Sequence, residues 1–172
     1  MSVDLKRYIR DVPDFPVPGI LFRDITPLLA DPTALRTAVS EMAGPWKGRG
    51  VDLVAAMEAR GFMFAAPMAV ELEAGFVPIR KPGKLPARTR SVEYTLEYRN
   101  DVLHIHEDAV RSGQRVLVVD DVIATGGTAA AVMDLIEQLS GVVVGAQFLV
   151  ELTDLGGRAL LDGREVRSVV TY

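Results

Sequence analysis

The sequence contains no cysteine, which excludes disulfides and Cys-based zinc or iron–sulfur sites and suits a reducing compartment. Histidine is scarce as well. The two present, His104 and His106, stand two apart on a stretch with β character and so share a face, a geometry that can bind metal. With Leu103 and Ile105 facing the other way and no third ligand in view, a solvated strand face is the simpler account. No uninterrupted apolar stretch approaches the about 20 residues of a membrane span, and MSVDLKRYIRDV at the N-terminus lacks the apolar core of a signal peptide. There is no excess of positive charge: 24% of residues are charged and the formal net charge is −4, leaving no electrostatic footprint for nucleic acid or an anionic membrane. Any anion site must be local. Neither G-x-x-x-x-G-K-[ST] nor a G-x-G-x-x-G after a strand occurs, so a P-loop NTPase or a Rossmann dehydrogenase fits poorly. Internal repeats, low-complexity tracts and interdomain linkers are also missing, and the expectation is a soluble, cytoplasmic protein.

What is present is enough for one well-packed domain, with 172 residues of which 49% are hydrophobic. Leu5, Tyr8, Ile9 and Val12 have helical spacing and predict a short amphipathic helix over Asp4–Val12, stopped by Pro13, Pro16, Pro18 and Gly19. Asp31-Pro32 reads as an N-cap with proline at the first helical position, opening a helix through Leu35, Val39 and Met42 towards Trp46. From Val51 the pattern alternates. VDLVAAM predicts a strand, Gly61–Ala74 a helix with Pro67 in or near its first turns, and Gly75–Ile79 a second strand. The polar, basic, Pro- and Gly-rich stretch from Arg80 to Tyr98 predicts a mobile loop leading into a hairpin. Val116–Val119 as a strand, Thr128–Leu139 as a helix, and strands Val142–Leu149 and Val166–Thr171 follow. The fold class is therefore α/β, a mostly parallel sheet flanked by helices. A single domain over 1–172 is expected, in which 1–50 supplies the opening helix and a hood over the carboxyl ends of the strands, and 51–172 the core with a mobile loop at about 80–100.

The most informative stretch is VLVVDDVIATGGT, Val116 to Thr128. Four apolar residues, three of them β-branched, suit a strand buried on both faces, and Asp120 and Asp121 emerge at its carboxyl end, where open α/β sheets bind ligands. Neighbouring carboxylates there can accept hydrogen bonds from vicinal hydroxyls or contact a hydrated Mg²⁺. Ala124, Thr125, Gly126, Gly127 and Thr128 let backbone N–H groups approach an anion, and the helix that follows turns its positive N-terminus towards it. Two other segments have unusual character. Phe15 to Pro32 mixes prolines with apolar residues in a stretch too broken to be a strand; a purine ring gives it a purpose, with Phe22 stacking on the base and backbone near Leu21 reading its edge, although packing of Phe22 into the core is the plainer alternative. Arg60 follows a strand and opens a helix, where a guanidinium and helix N–H groups can hold a pyrophosphate.

The Val116–Thr128 segment resembles the phosphoribosyl pyrophosphate signature of the type I phosphoribosyltransferases, and P-G-I-L-F-R-D-I-T-P-L-L at Pro18–Leu29 looks like the base-binding hood of their adenine-specific members. The resemblance covers nearly the whole chain. It implies the type I phosphoribosyltransferase fold with a small N-terminal hood and a flexible catalytic hairpin, and a Mg²⁺-dependent reaction of adenine with phosphoribosyl pyrophosphate that yields AMP and pyrophosphate in purine salvage. It also implies a homodimer. By the same resemblance Arg60 lies in the pyrophosphate loop, which often carries a non-proline cis peptide near Glu58–Arg60, and Arg80 and Lys84 of RKPGKLP serve the diphosphate. Glu97 of L-E-Y is implied as the acid/base residue on the closing loop with Tyr98 beside the substrate, although the usual glycine that follows is Arg99 here, a change at the loop's hinge. Asp120 and Asp121 would hold ribose hydroxyls or the waters of a Mg²⁺ carried mainly by the substrate diphosphate. Ala124 to Thr128 would grip the 5′-phosphate, Leu21 and Phe22 would take the base, and Arg23 would help order the hood. Two rivals share parts of this pattern. A 6-oxopurine phosphoribosyltransferase needs polar contacts that this hood does not suggest, and a sensor of phosphoribosyl pyrophosphate needs a nucleic-acid-binding module for which an acidic chain of this length offers no room.

Overall fold

The computed structural model describes residues 3–96, 99–161 and 163–172. The chain opens with a 3-10 turn, Leu5–Tyr8, capped by the Asp4 carboxylate, which accepts from the Lys6 N–H at 3.2 Å. The helix expected over Asp4–Val12 is not formed. Leu5 and Ile9 are buried by the single turn, and the chain then extends as β1 (Arg10–Pro13), which pairs antiparallel with β2 (Leu21–Asp24), Val12 opposite Phe22. The segment read as too broken for a strand therefore contains one, because Pro16 and Pro18 fall before it and Pro27 and Pro32 in the helices after it, leaving 21–24 free to pair. A short helix, α1 (Thr26–Ala30), leads to α2 (Pro32–Ala43), whose Asp31 cap accepts from the N–H groups of Thr33 and Ala34 at 2.9 and 2.8 Å, as the Asp-Pro signal predicts. Buried Trp46 follows, its Nε1 donating to Gln147 Oε1 at 2.9 Å.

Alternation then holds: β3 (Leu53–Met57), α3 (Arg60–Glu71), β4 (Gly75–Ile79), the antiparallel hairpin β5 (Thr89–Leu96) and β6 (Arg99–His106), β7 (Arg115–Ile123), α4 (Gly127–Gln138), β8 (Val142–Glu151) and β9 (Val166–Thr171). Because α3 starts at Arg60, Pro67 sits two turns in rather than near the start. Five parallel strands form one sheet of order β4-β3-β7-β8-β9. Leu117 and Val119 point into one apolar layer with Met42, Trp46, Phe64 and Met68 of the α2–α3 side; Val116 and Val118 point into the other with Val132, Leu135 and Ile136 of α4 and Leu103 and Ile105 of the hairpin. Burial on both faces is why this strand reads as an unbroken apolar run. β7 extends past its expected end. It pairs with β3 only through Val119, and from Asp120 to Ile123 continues against β8 alone, so the two aspartates lie in a strand whose other edge has opened.

Candidate active site

That open edge faces the turn between β3 and α3. The Glu58–Ala59 peptide in this turn is cis, as the sequence resemblance implies, and Arg60 is the first residue of α3. Arg60 Nε lies 2.8 Å from Asp121 Oδ2. Asp121 is buried, so the pairing takes its charge out of water against a half-exposed guanidinium. Asp120 Oδ1 accepts from the Asp121 N–H at 2.8 Å. Burial first, and the Asp121 carboxylate second, push Asp120 well above the usual carboxylate range, while Arg60 pulls weakly the other way. Helix α3 can come this close to Asp120 because Gly61 has no side chain.

On the far side of the aspartates the loop Ala124–Thr128 turns into α4. Gly126 adopts a left-handed conformation, φ +85°, and caps the helix without a side chain, so the first N–H groups of α4 stay available to an anion. The turn at Glu58–Arg60, the aspartates, this loop and Phe148 line a cavity of about 270 Å³. Its charged lining is one guanidinium and three carboxylates, its floor a row of backbone amides, which suits a ligand with both hydroxyls and a phosphate.

The basic run approaches from β4. Arg80 Nη2 donates to Glu58 Oε2 at 3.1 Å, Nη1 reaches the Lys84 carbonyl at 3.4 Å, and the Lys81 N–H donates to Glu58 Oε1 at 2.7 Å. The Lys81 N–H, followed by Arg80, holds Glu58 below its ordinary value despite partial burial. Lys84 is exposed on the loop beyond, and neither it nor Arg80 is part of the cavity lining. The hood meets the site at one point: the guanidinium carbon of Arg60 lies 5.3 Å from the Phe22 ring centroid. Phe22 is half-buried and packs edge-on against Phe15 with centroids 5.1 Å apart, while Leu21 is largely exposed. Arg23 is committed elsewhere, pairing with Asp11 and lying 3.8 Å from the Tyr172 ring centroid, which ties the hood to the end of the sheet. His104 and His106 each have a protein partner, the Thr89 hydroxyl at 2.9 Å and the Ala87 N–H at 3.3 Å.

Residues 33–159 match the phosphoribosyl transferase domain. A curated relative from Rhodopirellula baltica, adenine phosphoribosyltransferase, is 55% identical over 99% of this chain and 82% of its own length; that of Kosmotoga olearia is 54% identical over 99% and 100%. The chain belongs to the adenine phosphoribosyltransferase family. Among solved structures, the enzyme of that name from Thermoanaerobacter pseudethanolicus superposes with a TM-score of 0.95 at 53% identity, covering 98% of both chains. The Saccharomyces cerevisiae enzyme, solved with adenine and an imino-altritol bisphosphate, gives 0.91 at 36% identity over 96% of both. The type I phosphoribosyltransferase fold expected from the sequence is the one observed.

Within this member of the adenine phosphoribosyltransferase family, the structure gathers Arg60, Asp120, Asp121 and Ala124–Thr128 around one cavity and brings Phe22 to its edge. Arg80 stands one residue away through Glu58, and Lys84 further out. Glu97 and Tyr98 lie outside the described residues. Two contributors went unassigned at the level of sequence. Glu58 anchors the basic run, and its position between a strand and an Arg-Gly turn, with cations downstream, was a usable signal. Phe148, in a strand that reads as core, carries none.

Proposed function

We propose that this chain transfers the 5-phosphoribosyl group of phosphoribosyl pyrophosphate to adenine, releasing pyrophosphate and forming AMP in purine salvage. The observation that carries the reading is the placement of Arg60, which touches Asp121 of the ribose-phosphate cavity on one side and Phe22 of the hood on the other. A base stacked on Phe22 lies next to a sugar held over Asp120 and Asp121. Ala124 to Thr128 would take the 5′-phosphate through backbone N–H groups, and the two aspartates the ribose hydroxyls.

As the bond from C1′ to pyrophosphate breaks and the bond from adenine N9 to C1′ forms, positive charge grows on the ribose and negative charge on the leaving group. Arg60, Arg80 and Lys84 would stabilise the diphosphate, and the enclosing hood would keep water from the cationic sugar. Backbone at Leu21 would read the purine edge, and Arg23 would hold that strand in place. Glu97 would carry the proton at N7, with Tyr98 beside it. Among the described residues no three carboxylates or imidazoles converge on one point, while Asp120 and Asp121 offer the hard oxygen donors that Mg²⁺ prefers. Asp120 and Asp121 would help to hold Mg²⁺ through its waters, and the ion would supply charge neutralisation to the substrate diphosphate. A homodimer and a cytoplasmic setting complete the proposal; no helix among the described residues is long and apolar enough to cross a membrane.

The test is product formation from phosphoribosyl pyrophosphate and Mg²⁺ with adenine, hypoxanthine, guanine and xanthine in parallel, beside Glu97→Ala. AMP from adenine alone, sharply reduced in the variant, supports both assignments. Turnover of a 6-oxopurine refutes the adenine hood, and binding of phosphoribosyl pyrophosphate without any turnover identifies a sensor instead.

A further inference from the structure

The phosphate loop rests on a segment that has no part in the roles above. Gly157 begins a 3-10 turn, Gly157–Leu161, and meets the loop backbone to backbone. A Cβ on Gly157 would stand 2.3 Å from the Ala124 carbonyl oxygen and 2.9 Å from the Gly126 nitrogen; one on Gly126 would stand 2.3 Å from the Gly157 carbonyl oxygen. The two glycines interlock, and neither has room for a methyl group. A displacement of one backbone is therefore transmitted to the other.

Gly157 is held there by its neighbour. Arg158 Nε and Nη2 donate to the two carboxylate oxygens of Glu151 at 2.5 and 2.6 Å, Nη1 donates to the Val166 carbonyl at 2.6 Å, and Nη2 reaches Ser168 Oγ at 3.2 Å. Ser168 Oγ in turn donates to Glu151 at 2.5 Å. Glu151 is buried at the end of β8, in register with Ile123 of β7 and Thr171 of β9, so the fork anchors the turn to the interior of the sheet. A two-pronged guanidinium–carboxylate contact fixes orientation as well as distance. Arg158 is absent from the cavity lining, so it reaches substrate only through the backbone it anchors, of which Gly157 meets the loop directly.

We propose that Arg158, Glu151 and Ser168 form a positioning clip that acts through Gly157 to hold the Ala124–Thr128 loop in its anion-binding shape. The inference rests on the reading of that loop as the 5′-phosphate grip. Losing Arg158 leaves the buried Glu151 carboxylate with only the Ser168 hydroxyl and no opposite charge, and the turn must shift to rehydrate it. The loop that interlocks with the turn then loses its shape, while the hood is untouched.

The test uses Arg158→Ala, Arg158→Lys and Gly157→Ala in the full chain, read by amide hydrogen exchange and by KM for each substrate. Arg158→Ala is expected to speed exchange over 124–128 without changing it in α2, and to raise KM for phosphoribosyl pyrophosphate by about 10- to 100-fold while KM for adenine stays within about twofold. Arg158→Lys should recover only part of this, since an ammonium cannot make the fork. Gly157→Ala perturbs the interlock directly and should give the same selective loss; if Arg158→Ala does not fold, exchange and KM in Arg158→Lys decide the matter. Equal rises in both KM values, or unchanged exchange over 124–128 in folded variants, would overturn the clip. The exchange readout needs no turnover: a wild type that makes no AMP sinks the proposed transfer reaction and leaves the clip to be judged by exchange.

Discussion

Replacing Gly61 by alanine separates stability from function at a single atom. Gly61 is buried at the start of α3, and a Cβ there would stand 2.8 Å from Asp120 Oδ1 and 3.3 Å from both the Ala56 Cβ and the Val119 carbonyl oxygen. Ordinary contact begins at 3.4 Å, so the carboxylate must retreat by about 0.6 Å. The helical backbone accepts alanine, which it prefers to glycine by about 0.5–1 kcal/mol, and this offsets the crowding. The melting temperature is therefore expected within about 3 °C of wild type. Function is less forgiving. If a 1 Å misplacement costs about 100-fold, 0.6 Å scales to about 15-fold, or ~1.6 kcal/mol of transition-state stabilisation. The assay is the initial rate of AMP formation with phosphoribosyl pyrophosphate varied at saturating adenine and the reverse, beside thermal melting. A folded variant whose kcat/KM for phosphoribosyl pyrophosphate stays within about twofold of wild type would refute the claim that Asp120 positions the ribose. A loss confined to adenine would do the same.

Three further outcomes are expected. Phe22→Ala should raise KM for adenine by about 5- to 150-fold, the equivalent of 1–3 kcal/mol of base stacking, with KM for phosphoribosyl pyrophosphate little changed; the opposite pattern removes Phe22 from the base site. Glu58→Ala frees Arg80 and the Lys81 N–H and should weaken product inhibition by pyrophosphate by about 10- to 150-fold, the equivalent of the 1.5–3 kcal/mol of a hydrogen bond to a charged group; unchanged inhibition would mean that Arg80 is placed by something else. Because burial and Asp121 raise Asp120, the folded protein holds that proton more tightly than the unfolded chain does. The stability this brings is full below the ordinary value of 3.8 and is lost as pH rises through the folded value. Asp120→Asn should therefore melt increasingly above wild type as pH is taken from about 4 to 7 without ligand, while AMP formation collapses. An asparagine variant that melts lower at neutral pH contradicts this.

The parallel core was legible because Val116–Val119 is buried on both faces and reads as an unbroken apolar run, while Gly75–Ile79, at the sheet edge with only Val77 and Ile79 buried, is marked by its turns and its place in the alternation. Legibility failed where a local pattern has two solutions. Leu5, Tyr8, Ile9 and Val12 fit one helical face, yet a single turn buries Leu5 and Ile9, and pairing of Val12 with Phe22 wins over continued helix. That pairing spans a proline turn and is invisible in a window of a dozen residues. The true end of β7 was hidden for a related reason, since β8 goes on pairing where β3 stops. At the site, Asp120, Asp121 and the glycine loop announced themselves because chemistry and spacing coincide in one short segment. Arg158 and Glu151 did not, because their meaning lies in a contact between Gly157 and a loop some thirty residues earlier. Arg23, expected to help order the hood, pairs with Asp11 and packs on the Tyr172 ring, contacts that lie far from it in sequence and could not be read from its own segment.

The β1–β2 hairpin shares no strand pairing with the five-stranded sheet and forms a sheet of its own. Arg10–Asp24 and Arg23–Asp11 brace it internally, and its contacts with the rest of the protein include Arg10 to Thr26, Arg23 to the Tyr172 ring and Phe22 to Arg60. For protein engineering this makes residues 13–22 a replaceable cassette. A new loop grafted between Val12 and Arg23 would alter which ring is read without re-registering a single strand of the machinery beneath it.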